Sequence, residues 1–256
     1  MPRRSGPRSS RIITITIIIM AEAALYDLLS WMSPAWPIGA FAHSSGLEWA
    51  VEAGHAVDRA STQEWLADLI EQGPLWSDAV IFVHAHRAVV ADDRPALAEV
   101  AELATAMLTS HERRLESTAQ GAAFRRIAAA TANLPLPGGG RAFEDLLADI
   151  DDDNLAYPVV AATLFACHGI PLRAALTAFL HGAVANLVSA AQRLIPLGQT
   201  DGQLAIRALR ASVFAAVERA ERLPEGDPFA AMGSACLSAE IACMAHETQY
   251  TRLFRT

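Results

Sequence analysis

The sequence contains no lysine: all 20 basic residues among its 256 are arginine. This excludes chemistry that needs a lysine amine, such as a Schiff base or the phosphate-gripping lysine of a P-loop. Cysteine is scarce as well. Cys167, Cys236 and Cys243 form neither a disulfide framework nor a C-x-x-C pair. Positions 236 and 243 are seven apart and would share one helical face, as small buried hydrophobes do. Positive charge is also short, with 20 basic residues against 28 acidic ones and a formal charge of −8. Arg3, Arg4, Arg8 and Arg11 lie in the first eleven residues, which leaves 16 basic against 28 acidic residues in the body. An acidic body excludes general nucleic-acid binding, which needs clustered positive charge. No uninterrupted run of eighteen apolar residues occurs, so no membrane-spanning helix is expected. G-x-S-x-G, H-E-x-x-H, Walker and G-x-G-x-x-G motifs are all missing. No catalytic residue, cofactor site or metal site is expected, and the chain does not read as an enzyme.

The N-terminus does have a pattern. A basic start, "MPRRSGPRSS", precedes an apolar run from Ile12 to Met20 and then Ala21-Glu22-Ala23. These are the parts of a secretory signal. The segment "IITITIII" is uncharged, free of proline and β-prone, an aggregation hazard if exposed.

Beyond it the chain reads as almost wholly helical, an all-α bundle of roughly ten helices if each has the mean length. Ser61 to Glu64 and Thr109 to Glu112 fit capping boxes. Pro74 ends one helix, Asp93 with Pro95 opens another, and "LPLPGGGR" (134–141) is a loop. From Pro171 a long amphipathic helix runs to Pro196, and Asp201 is placed to cap the next. Between Phe229 and Ala245 the only charged residue is Glu240, which predicts one apolar helix, buried in the core or at a subunit contact.

Candidate chemistry is thin. His84 and His86 are two apart and point about 200° apart on a helix, so they do not form a shared metal site. Cys167-His168 supplies two ligands, which is too few. Asp151 to Asp153 reads as a solvated turn. His43, Ser44 and Ser45 are neighbours in sequence, which is not triad geometry. The alternative to a protein without a site of its own is a stand-alone helical metal-binding protein using His84, His86, Cys167 and His168.

Three polar stretches resist a solvent explanation. The first, "SPAWPIGAFAHSSGLEWAVEAG" (33–54), holds two prolines and bulky Trp36 and Phe41 in an irregular segment, with a helix expected near Ser44. The second is "RLIPLGQTDGQ" (193–203). The third, "HETQYTRLFRT" (246–256), ends the chain on a mixture of Tyr, Phe and Arg, residue types enriched in interfaces.

Together these stretches resemble the UreF family of urease accessory proteins. The first is similar to the family's S-P-x-x-P-x-G-x-F/Y-x-x-S-x-G-L-E opening, at Ser33, Pro34, Pro37, Gly39, Phe41, Ser44, Gly46, Leu47 and Glu48. The second matches R-L-I-P-L-G-Q-T-x-G-Q from Arg193 through Thr200, with Gly202 and Gln203. The third resembles H-E-x-Q-Y-S-R-L-F-R-S at His246, Glu247, Gln249, Tyr250, Arg252, Leu253, Phe254 and Arg255. Ala42, His43 and Ser45 depart from the usual Ser, Tyr and Gln, and Thr251 and Thr256 replace serines.

The resemblance covers residues 24 to 256 and implies a cytoplasmic all-α protein without a catalytic site, spanning 21–256. It implies a role in maturing urease. The family joins a UreD/UreH-type scaffold and a UreG-type GTPase, docks on apo-urease, couples GTP hydrolysis to nickel delivery, and tends to form homodimers. By this resemblance Pro37, Gly39, Phe41, Ser44, Glu48, Arg193, Gln199, Thr200, His246, Glu247, Gln249, Tyr250, Arg252, Phe254 and Arg255 are partner-binding residues. The tail 246–256 is expected to order on the UreD-type partner, with Tyr250 and Arg252 as anchors and Gln199 in a turn near the GTPase. It also makes Met20 the natural first residue and residues 1–20 an upstream, disordered extension.

Overall fold

Apolar spacing of three and four residues becomes helix along nearly the whole chain. The computed structural model describes residues 22–132, 141–232 and 236–256, so the leader and most of the 134–141 loop lie outside the described residues. The helices are α1 (22–31), α2 (Leu47–Glu52), α3 (Arg59–Gln72), α4 (Pro74–Val90), α5 (Arg94–Ala106), α6 (His111–Thr131), α7 (Phe143–Leu147), α8 (Tyr157–Cys167), α9 (Leu172–Leu194), α10 (Gln199–Glu221) and α11 (Leu237–His246). No strand occurs among the described residues.

The centre is α8, buried at every position from Pro158 to Cys167. It packs between α4 and α6, with α7 and α9 also against it, while α3, α9 and α10 close the far side of α4. Phe165 of α8 is the aromatic hub. Its ring lies 5.4 Å from Trp31, 6.0 Å from Phe82 and 6.3 Å from Phe124, distances at which aromatic pairs attract. His84 and His86 are packing residues of α4, both buried, and His86 Nε2 donates to the Ile170 carbonyl at 2.9 Å.

Several local expectations shift. The α3 capping box forms one turn early: Asp58 accepts from the Ser61 amide at 2.8 Å, and the Ser61 hydroxyl accepts from the Asp58 amide at 3.1 Å. Ser110, not Thr109, caps α6, by accepting from the Arg113 amide. Gly198 precedes α10, so Asp201 lies inside its first turn, where a carboxylate suits the helix dipole. The apolar helix expected from Phe229 to Ala245 is not continuous. A 3-10 turn, Pro228–Ala231, is capped by Asp227, Met232 turns extended, and α11 starts at Leu237. Of α11, Ala239, Ala242 and Cys243 are buried, while Leu237, Ile241 and Met244 are exposed. By length and a mean hydropathy of 1.5, α9 could cross a membrane, but half of that window is buried in the fold and a core helix meets the same criterion.

The tightest crossing is at Gly121 of α6. A Cβ there would lie 2.0 Å from the Leu155 carbonyl oxygen, on backbone that cannot swing away. Gly121→Ala should lower stability by about 1–3 kcal/mol, the usual cost of overpacking. Urea unfolding measures this, and a parent-like midpoint would show that the crossing yields. Burial also pulls His43, His84 and His86 below their ordinary value, since each is held as the neutral ring. Each therefore binds its proton more readily when unfolded. Their contribution to stability should be lost as pH drops from about 7 through the ordinary histidine range, so His86→Gln should lose less melting temperature than the parent between pH 7.5 and 5.

Candidate functional site

The first and third motifs meet at one place on the molecule, with Arg193 from the second. Local backbone arranges this. Gly39 takes a positive φ of 76° ahead of a 3-10 turn at Ala40–Ala42, then Ser45 (φ 51°) and Gly46 (φ 79°) reverse the chain. The helix expected near Ser44 therefore begins at Leu47. Gly46 is required twice over, because a Cβ would also sit 2.8 Å from the Cys243 amide of α11. This close approach seats α2 on α11 and turns Glu48 toward the C-terminal tail.

Glu48 is buried and fully used. Its Oε1 accepts from the Leu253 amide at 2.6 Å, and its Oε2 accepts from the Phe254 amide at 2.9 Å and lies 3.0 Å from His246 Nε2. The other ring nitrogen, His246 Nδ1, is 2.6 Å from Glu112 Oε2, and Glu112 Oε1 accepts from Arg252 at 2.9 Å. His246 is completely buried between two carboxylates. Each ring nitrogen of His246 therefore faces a carboxylate oxygen, Nδ1 that of Glu112 and Nε2 that of Glu48.

The last residues are held as firmly. The Arg255 amide donates to the Ala42 carbonyl at 2.8 Å. The Thr256 carbonyl oxygen accepts from the Ser44 amide and hydroxyl, at 2.7 and 3.0 Å. Thr256 Oγ1 is 2.7 Å from His43 Nδ1. Arg193 donates to the Phe41 carbonyl at 2.7 Å, and its guanidinium lies 4.2 Å above the Phe254 ring. Beneath them Glu116 accepts from Ser45 at 2.8 Å, and Arg113 bridges Glu116 at 3.4 Å and Asp78 at 3.2 Å. Burial works against the charge on Arg113, but Asp78 and Glu116 outweigh it and hold the guanidinium protonated. Burial raises Asp78 above the usual carboxylate range, with Arg113 opposing.

The structure divides the candidate residues by direction. Ser44, Glu48, His246 and Phe254 are buried within the chain itself, as parts of the tail's anchorage. Pro37, Phe41, Arg193, Gln199, Thr200, Glu247, Tyr250, Arg252 and Arg255 are exposed, and Gly39 and Gln249 half-buried. Tyr250 is 103 % exposed and Phe41 71 %. Glu247 accepts from the His111 amide at the start of α6, and Gln249 donates to Glu52 at 2.6 Å. Gln199 is the first residue of α10 rather than part of a turn, and neither it nor Thr200 bonds the tail among the described residues. The expectation that the tail orders on a partner is corrected in one respect: it is already ordered on its own chain. The reason is the supply of buried acceptors from α2 and α6.

Sequence reasoning passed over Glu112, Arg113 and Glu116. The signal was a polar stripe at helical spacing, Glu112, Glu116 and Gln120, which continues into buried Phe124 and Ala128. The alternative metal set does not assemble. Among the described residues no group of three or more His, Cys, Asp or Glu side chains is placed to hold a metal ion. His168 pairs with the Ala132 carbonyl, and burial pushes the Cys167 and Cys243 thiols up to about 12.

Removing Glu48 would leave two backbone amides and the Nε2 side of His246 unpaired. Glu48→Ala should cost about 3 kcal/mol, in the range for breaking a buried pair, and should speed amide exchange across residues 247–256. Unchanged protection of the Leu253 and Phe254 amides would show that Glu48 does not hold the tail.

The UreF family model matches residues 56–210. A urease accessory protein UreF of Rhodopseudomonas palustris (strain BisB5) is 49 % identical over 235 residues, covering 92 % of each chain. One from strain BisB18 is 50 % identical over 235 residues, covering 91 % of this chain and 92 % of the relative. One from Bradyrhizobium sp. (strain ORS 278) is 47 % identical over 234 residues, with the same coverage. With the family model across more than half of its length and relatives near one-half identity across nine-tenths, this chain belongs to the UreF family of urease accessory proteins.

Proposed function

We propose that this chain is a non-enzymatic, cytoplasmic scaffold for nickel insertion into apo-urease. In this reading it joins a UreD/UreH-type scaffold to a UreG-type GTPase and couples GTP hydrolysis to nickel delivery. The observation that carries the reading is the two-faced tail. Glu48, Glu112, Ser44 and Ala42 grip its inner side, which leaves Tyr250, Leu253 and Arg255 facing outward on a fixed backbone. Preorganisation of this kind removes the entropy cost of ordering a segment on binding. Tyr and Arg are the usual interface anchors. The outward face of α11, with Leu237, Ile241 and Met244 exposed, supports the homodimer reading.

Tyr250 is the cleaner of the two expected anchors, because Arg252 is also tied to Glu112. Tyr250→Ala should leave the melting temperature unchanged and weaken capture of co-expressed UreD- and UreG-type partners by about 2 kcal/mol, roughly thirtyfold. Deletion of 246–256 should abolish capture of the GTPase. Undiminished capture by both variants would sink the tail's role. Capture of neither partner by the intact chain would sink the scaffold reading, and nickel titration of the isolated chain would then test the alternative.

A further inference from the structure

The irregular segment 33–41 does not lie flush on the helices beneath it. Between it and α6, α8 and α9 runs a groove of about 500 Å³, within the size range of ligand sites. Close packing is the rule in protein interiors, so a space of this size has to be built. Gly182 and Ala183 of α9 keep one wall low, and Pro34 and Pro37 hold the opposite strap rigid.

Its lining is two-sided in chemistry. Trp31, Trp36 and Phe179 give apolar walls, whereas Asp78, Arg113 and Glu116 form a polar floor. That floor has two carboxylates against one guanidinium. Glu116 is well supplied with donors, from Ser45, Gln120 and Arg113. Asp78 bonds to Arg113 alone among the described residues, so the surplus negative charge rests on it. Burial already pushes Asp78 toward its neutral acid, a strain that a second cation would relieve. Trp36 adds a different demand: its buried Nε1–H finds no acceptor among the described residues.

We propose that this groove docks an extended peptide segment of a partner protein, one that carries a single arginine or lysine among apolar residues. The cation pairs with Asp78, the flanking side chains lie on Trp31, Trp36 and Phe179, and a peptide carbonyl accepts from the Trp36 indole. A purely apolar ligand would leave both polar groups unanswered, and an acidic segment would meet Asp78 and Glu116 as like charges. The site is separate from the outward face of the tail, and the proposal does not depend on which maturation partner supplies the segment.

The test uses the intact chain with ¹⁵N-labelled indoles and two probes, acetyl-Leu-Ala-Arg-Ala-Leu-amide and its counterpart with glutamate for arginine. The arginine peptide should shift the Trp36 indole N–H saturably, and the glutamate peptide should bind at least tenfold more weakly. Asp78→Asn should weaken the arginine peptide at least tenfold, and Ala183→Trp should abolish binding with the helical circular dichroism unchanged. A Trp36 indole unmoved by millimolar arginine peptide, or equal binding of both peptides to the unmodified chain, would overturn the proposal whether or not the variants fold. Partner capture through Tyr250 is read separately, so failure here leaves the scaffold reading standing.

Discussion

The carboxylate of Glu48 is the interaction on which the rest of the site depends. A buried carboxylate is costly unless its oxygens are fully bonded. Here all three donors come from one distant stretch of the chain: the Leu253 and Phe254 amides, and the ring of His246. Satisfying one charge thus fixes the path of the last ten residues. It also fixes α2 against α11, since Glu48 reaches the tail only when Gly46 lets the two backbones approach. The sequence distance spanned, about two hundred residues, means that no local propensity could produce this arrangement.

His246 extends the same logic. It sits between Glu48 and Glu112, and Glu112 in turn holds Arg252, so two carboxylates, an imidazole and a guanidinium form one connected chain. Such a network is stable only when every member is paired, which makes the tail cooperative: losing one bond exposes the next. The exposed side chains of Tyr250 and Leu253 inherit their positions from this buried layer. The outward face and the anchoring face are therefore parts of one segment rather than separate structures.

Much of the fold was legible from spacing. The long helix after Pro171, the start at Asp93 and the break at Pro74 all follow from helical periodicity and capping chemistry. The α3 capping box slipped because Ser61 is the reciprocal partner of Asp58 rather than the cap itself, a role that the Ser61–Glu64 pattern alone does not reveal. The apolar stretch from Phe229 failed as one helix because apolar composition does not encode the extended turn at Met232. The site was half legible. Motif composition marked Glu48, His246 and Phe254, but read them as surface contacts, since nothing in a linear motif says which side of a segment faces in. Glu112 and Glu116 were harder still, because charged residues near a helix start normally read as solvated.

The polar stripe of α6 ties these observations together. Glu112 faces the tail, Arg113 faces the groove, and Glu116 touches both, through Thr256 at 3.5 Å and Arg113 at 3.4 Å. Charges so close in a partly buried setting are felt at an effective dielectric well below that of water. A cation brought to Asp78 would loosen the hold of that carboxylate on Arg113 and leave Arg113 more fully to Glu116. Glu116 would then have less to offer Ser45 and Thr256. The groove floor and the end of the tail are thus two readings of one row of charges. That row gives an occupant of the groove a physical connection to the residues that anchor the tail.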